Sequence, residues 1–207
     1  MLKVRLSTGL LLSAVLATLC LTDVAHAQFS KGYKFLEAVR KREGVEVNDA
    51  LNEPGSQIVN TRDSTSGETA LHIVTARRDL TYMGVLIGKG ANVNARDVRG
   101  VTPLELASRL GFQEGAQLLV DQRARVDEAN AAGETPLITA VHRKDVAMMR
   151  LLLKAGANPD RADNSGRSAR DYARLEGRGS PLLTEIQNNA RPRGQNTGPR
   201  PTYGPSF

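Results

Sequence analysis

Four glycines, Gly67, Gly100, Gly133 and Gly166, recur at a spacing of 33 residues. A period of that length means that one small supersecondary unit is copied along the chain. Each copy is too small to bury its apolar face alone, so the copies must stack on one another. Two signatures recur in phase with the glycines. After them stand Glu68-Thr69-Ala70-Leu71-His72, Val101-Thr102-Pro103-Leu104-Glu105, Glu134-Thr135-Pro136-Leu137-Ile138 and Arg167-Ser168-Ala169-Arg170-Asp171. Late in each period come Gly90-Ala91-Asn92-Val93-Asn94, Arg123-Ala124-Arg125-Val126-Asp127 and Gly156-Ala157-Asn158-Pro159-Asp160.

Each block has a physical reading. Thr102-Pro103 and Thr135-Pro136 open a helix, because proline loses nothing in the first turn and the threonine before it caps. That helix is expected to run to about Leu110 or Arg143, and Gly111 lets the chain reverse sharply. A second helix carries the paired aliphatics Leu86-Ile87, Leu118-Leu119-Val120 and Leu151-Leu152-Leu153. It ends at Gly90 or Gly156, suited to a left-handed C-terminal position. The Asn/Asp/Gly-rich link that follows reads as a projecting turn, and Asp63, Asp97 and Asp163 are placed to stabilise it locally.

These blocks and their spacing resemble the ankyrin-repeat family, in the form carried by exported bacterial proteins. The resemblance covers Phe35 to Asn189 and implies an all-α repeat solenoid of helix-turn-helix units with projecting turns. The departures from the family pattern are local. Ala70 stands for proline, Gly115-Ala116 for bulkier aliphatics, Arg123 for the helix-ending glycine, and Arg170 where a core leucine is expected. The family implies that His72 bonds between adjacent loops rather than holding a ligand. It also implies a concave binding face made of turn tips and first helices. Carried over residue by residue, that face holds Ser66, Glu68, Arg77, Arg96, Val98, Arg99, Val101, Arg109, Leu110, Ala131, Ala132, Glu134, His142, Arg143 and Arg167. Arginine dominates it, with an apolar island expected at Val98, Val101 and Leu110, which is common hot-spot chemistry. Solvated arginines on a basic protein are the plain alternative, and a solvated role is the alternative for His142.

The ends read differently from the middle. Lys3 and Arg5, the uncharged stretch Leu6 to Leu21 and the small-x-small site Ala25-His26-Ala27 predict a signal peptide over 1–27, cleaved before Gln28. An uncleaved anchor is an alternative, as is a lipoprotein at Cys20, although Leu19 is a poor residue before it. Residues 28–63 are expected to form an N-terminal capping repeat, with helices over Phe35 to Val39 and Val45 to Leu51. Residues 64–189 hold the repeats, the last cut short by Gly177-Arg178-Gly179-Ser180-Pro181. Residues 190–207, with four prolines, three arginines after Ala190 and no acid, predict a disordered basic tail.

Composition removes several functions. The chain has one cysteine, Cys20, so no internal disulfide and no Cys-ligated zinc module is available. Apart from His26 its histidines are His72 and His142, with no H-E-x-x-H. No G-x-S-x-G appears, and Gly88-Lys89-Gly90 lacks the phosphate-loop frame. No catalysis, cofactor, metal or small-molecule substrate is therefore expected. Lys and Arg number 28 against 22 Asp and Glu, a formal charge of +6. The expected function is a monomeric, non-enzymatic scaffold in the periplasm or outside the cell that binds an unidentified protein. Nucleic acid and stable membrane insertion are not expected. An electrostatic binder of an anionic envelope surface, and a secreted effector or toxin-neutralising protein, remain the alternatives.

Overall fold

A computed structural model describes residues 31–177 and 179–190. The expected signal peptide and nearly all of the expected basic tail lie outside these residues. The described chain is helical throughout, with isolated β-bridges at Arg62–Thr69 and Ala162–Ser168. Helix α1 covers 31–41 and α2 Gly44–Asn52, followed by a short 3-10 turn at Ile58–Asn60. Four helix pairs follow: α3 (Ala70–Ala76) with α4 (Leu80–Gly88), α5 (Pro103–Leu110) with α6 (Gln113–Asp121), α7 (Pro136–His142) with α8 (Val146–Lys154), and α9 (Ala169–Leu175) with α10 (Pro181–Asn189). The first helices pack in the order α3, α5, α7, α9, and the second helices in the order α4, α6, α8, α10 behind them.

The sequence blocks produce this two-layer stack directly. Thr102 and Thr135 accept the amides of Glu105 and Ile138 at 3.2 and 3.3 Å, while Pro103 and Pro136 occupy the first turn. Ser168 accepts the Asp171 amide at 3.2 Å. Helices α4 and α8 have their own caps: Asp79 and Asp145 accept from Tyr82 and Met148 at 3.1 and 2.9 Å. Between the helices of a pair the chain reverses through one left-handed residue. Gly111 holds it in the second pair, as expected, but Arg78 and Lys144 hold it in the first and third. A side chain there costs roughly 1–2 kcal/mol, so stacking must offset local strain at those two positions.

The core is the seam between the layers. Leu71, Leu104 and Leu137 from the first helices meet Met83, Leu86, Leu119, Met148 and Leu152 from the second, all with no more than 1% exposure. Each such side chain contributes on the order of 1.5–3 kcal/mol by burial. Gly115 has a specific cause. A Cβ there would overlap the ring of Phe112, which is buried and fills the space that larger aliphatics would take. At the N-terminal end, α1 adds Phe35, Leu36, Ala38 and Val39 to the core and α2 adds Val47. α2 begins one residue before the expected Val45 and ends one residue after Leu51.

One expectation fails. Arg170 does not mark a defective core position. Its guanidinium lies against Asp160, with Nε donating to Oδ1 at 2.7 Å and Nη2 to Oδ2 at 3.3 Å. The arginine closes the link preceding its own repeat, and a leucine could not do so.

Candidate partner-binding face

The projecting turns are built from one repeated device. Asp63 Oδ1 accepts the amides of Thr65 and Ser66, both at 2.9 Å. Asp97 Oδ1 accepts those of Arg99 and Val101, both at 2.8 Å. Asn130 Oδ1 does the same for Ala132 and Glu134, and Asp163 Oδ1 for Ser165 and Arg167. The amide of Ser66 and the Arg40 guanidinium, 2.7 Å from Oδ2, hold the Asp63 carboxyl well below the usual range. Burial works against the charged form of Asp163, but hydrogen bonds from Ser165 and Tyr172 outweigh it and hold its pKa down to about 2.

Successive turns are then joined tip to tip. The amides of Val98, Ala131 and Asn164 donate to the carbonyls of Ser66, Arg99 and Ala132 at 3.0, 2.8 and 3.1 Å. This ladder explains three of the four period glycines; at the last, Gly166, a Cβ would meet nothing among the described residues. Gly67, Gly100 and Gly133 have positive φ, and a Cβ on each would stand 3.0, 3.1 and 2.6 Å from the backbone nitrogen of the next tip. A second set of clamps runs along the links. Asn60, Asn94 and Asp127 side chains accept the amides of Asn92, Arg125 and Asn158 at 2.8, 2.8 and 2.9 Å. The link residues thus bond between repeats as well as within their own turns.

His72 has the bridging role that the resemblance implies. Its Nδ1 accepts the Thr69 amide at 3.2 Å, which leaves Nε2 to donate to the Val101 carbonyl of the next repeat at 3.1 Å. Burial pushes its pKa down. Glu105 stands in the same register one repeat on and is fully buried. One carboxylate oxygen, Oε1, takes both Arg109 Nη2 at 2.7 Å and Asn130 Nδ2 at 2.8 Å, while Oε2 has no partner among the described residues. Burial raises its pKa, opposed by those two partners.

The candidate face residues separate sharply by environment. Val98 is 66% exposed on its tip, and Arg99 extends beside it, its guanidinium 3.2 Å from Asp97 Oδ2. Val101 is 2% exposed, because its amide and carbonyl are committed to Asp97 and His72 and its side chain is drawn inward. It therefore does not belong to a surface island. Leu110 is half-buried against the core. Arg77 is folded back onto the carbonyls of Val39 and Arg40 and onto Asp79. Arg96 is held by Glu128 at 2.6 Å and the Ala129 carbonyl. Arg109 is committed to Glu105. His142 lies 3.6 Å from Glu134 and meets Tyr172 edge to face, with centroids 4.4 Å apart. Arg143 is exposed. Tyr172 and the exposed Leu175, neither a sequence candidate, join this end of the face, and the Arg167 guanidinium stands 6.0 Å from the Tyr172 ring centre. Leu175 could have been found by register, since it follows His142 by 33 residues. Guanidinium groups, turn-tip backbone and small apolar patches are equipment for noncovalent recognition.

Among the described residues no group of three His, Cys, Asp or Glu could hold a metal, and no helix is long and apolar enough to cross a membrane. Comparison with known families finds a match to "Ankyrin repeats (3 copies)" over residues 35–130 and to "Ankyrin repeats (many copies)" over 119–173. Among curated proteins, the chain is 30% identical over 68% of its length to the ANK repeat-containing protein nipk-1 of Caenorhabditis elegans, spanning 24% of that protein. It is 36% identical over 48% of its length to protein phosphatase 1 regulatory subunit 12A of Mus musculus, spanning 10% of it. It is 40% identical over 44% of its length to an ankyrin repeat-containing protein of Treponema pallidum, spanning 30% of it. The chain thus spans less than a third of each of these relatives.

Proposed function

The chain belongs to the ankyrin-repeat family, and from that premise we propose that it is a non-enzymatic scaffold of the cell envelope that binds a partner protein across its concave face. Ankyrin repeats are in general scaffolds for protein–protein interaction, and one relative is by name a regulatory subunit of a phosphatase. The observation that carries the reading is the tip-to-tip ladder. It fixes Val98 and Arg99 outward on a turn whose own hydrogen bonds are complete. A rigid, satisfied backbone presenting exposed side chains loses little entropy on binding.

Export is part of the proposal and rests on the Lys3-Arg5, Leu6–Leu21, Ala25-His26-Ala27 sequence. N-terminal sequencing of the protein recovered from a periplasmic or culture fraction is expected to begin at Gln28. Recovery with Met1 intact in the membrane pellet would overturn it. For the binding face, Arg109 is the wrong residue to reverse, because a glutamate there would face the buried Glu105. Arg99→Ala is the right one, because it removes an exposed guanidinium without setting a second negative charge beside the buried Asp97. It is expected to weaken capture of envelope proteins by about tenfold or more, while Lys154→Glu, exposed on α8, does little. Equal loss from both, falling steeply with salt, would favour electrostatic attachment to an anionic surface.

A further inference from the structure

Resting on the concave-face reading, we propose that the C-terminal half of this face takes an extended acidic segment of the partner protein that carries an apolar or aromatic side chain beside a carboxylate. The availability of charge comes first. Arg77, Arg78 and Arg96 are committed to carbonyls, and Arg96, Arg99 and Arg109 to carboxylates. Arg143 and Arg167 are exposed and have neither kind of partner among the described residues. The basic character that composition spreads over the whole face is therefore open to a ligand mainly at this end.

Of the two guanidiniums, that of Arg167 stands at an apolar group, while that of Arg143 reaches back towards Gly111 of the preceding pair. His142 packs on Tyr172, Arg167 stands over the same ring, and Leu175, one helical turn beyond Tyr172, is 71% exposed. Tyr172 is fixed beforehand, since its hydroxyl donates to Asp163 Oδ2 at 2.7 Å. That hydrogen bond and the turn amides occupy the oxygens of the Asp163 carboxylate, which stays ionised. An aromatic ring, an exposed leucine and a free arginine in one patch match the side-chain types that carry interface energy. A polyanion would use the arginines but leave Leu175 in water. The segment 191–207 has three arginines and no acid, so its charge is wrong for this site. An acidic segment with an apolar anchor satisfies both parts of the patch.

The test uses the full-length chain and labelled nonapeptides, read by fluorescence anisotropy at about 0.15 M salt. One peptide has glutamates around a central phenylalanine, a second the same glutamates around glycine, and a third lysines around phenylalanine. The first is expected to bind about tenfold or more tightly than the second, and the third not at all. Arg167→Glu and Leu175→Asp, both at exposed positions, are each expected to weaken the first peptide by about tenfold or more, and Lys154→Glu by less than about twofold. Equal binding of the first two peptides, or unchanged binding by both variants, overturns the proposal. A captured envelope partner lost with Arg99→Ala but kept with both Arg167→Glu and Leu175→Asp overturns it too, while leaving the scaffold reading intact. A partner kept by all three variants overturns both readings.

Discussion

His72 shows how much one side chain can carry in a stacked fold. Its neutral form caps α3 through Nδ1 and ties the next repeat through Nε2. Protonation would place a hydrogen on Nδ1 facing the Thr69 amide, and burial already disfavours the charge. The sign follows. The folded pKa lies below the ordinary 6.5, so the unfolded chain takes the proton first as pH falls. Stability is fully present above about 6.5 and declines below it, until the folded-state pKa is passed. Glu105 and Asp127 act in the opposite sense, because burial raises both, and their contribution is lost as pH rises. Urea unfolding at several pH values should isolate the histidine. The wild-type midpoint is expected to fall between about pH 7 and 5 relative to that of His72→Gln. Parallel curves for the two proteins would remove the histidine from this role.

At the scale of the element, α9 is held at its start by a charge pair where sequence alone suggests a flaw. Arg170 bonds to Asp160 through two nitrogens, and its side chain is mostly buried. Arg170→Leu would remove both bonds to Asp160. The substitution is expected to destabilise by about 1–3 kcal/mol, the range for losing hydrogen bonds to charged groups, measured as a lower midpoint of thermal or urea unfolding. A rise in stability would mean that the core of the last repeat can accept the leucine. The same helix carries a complete capping box, in which Ser168 accepts the Asp171 amide and Asp171 accepts the Ser168 amide. That box was visible as Ser168-Ala169-Arg170-Asp171. The pair with Asp160 was not, because nothing local says that the link folds back over the helix.

At the scale of the molecule, each repeat touches its neighbours and little else, so stability is a sum of unit and interface terms. Local damage should then stay local. α10 is pinned to α8 by Glu185, whose carboxylate takes Arg150 Nε and Nη2 at 2.8 and 2.7 Å. Glu185→Ala breaks that pair, and a small loss of stability confined to the last repeat is expected, because the arginine is half-exposed. Hydrogen exchange should show faster opening of the α10 amides, with those of α5 and α7 unchanged. Uniform acceleration across the chain would mean that the stack unfolds as one unit.

The 33-residue period alone determined the helix pairs, the threonine caps of the first helices and the tip glycines. Those features arise from contacts inside one unit or between identical positions of adjacent units, so repetition writes them into the sequence several times over. The bridging role of His72 came from family resemblance, and the ladder gave Gly67, Gly100 and Gly133 their steric reason. The availability of the arginines was decided only by the tertiary structure. Arg77 and Arg78 reach carbonyls of Val39 and Leu110, more than thirty residues away in sequence, and such partners differ from repeat to repeat. Val101 went inward and Leu175 outward for the same reason. A side chain's exposure depends on the neighbouring copy, and the copies are alike in backbone but not in the side chains they place across the interface.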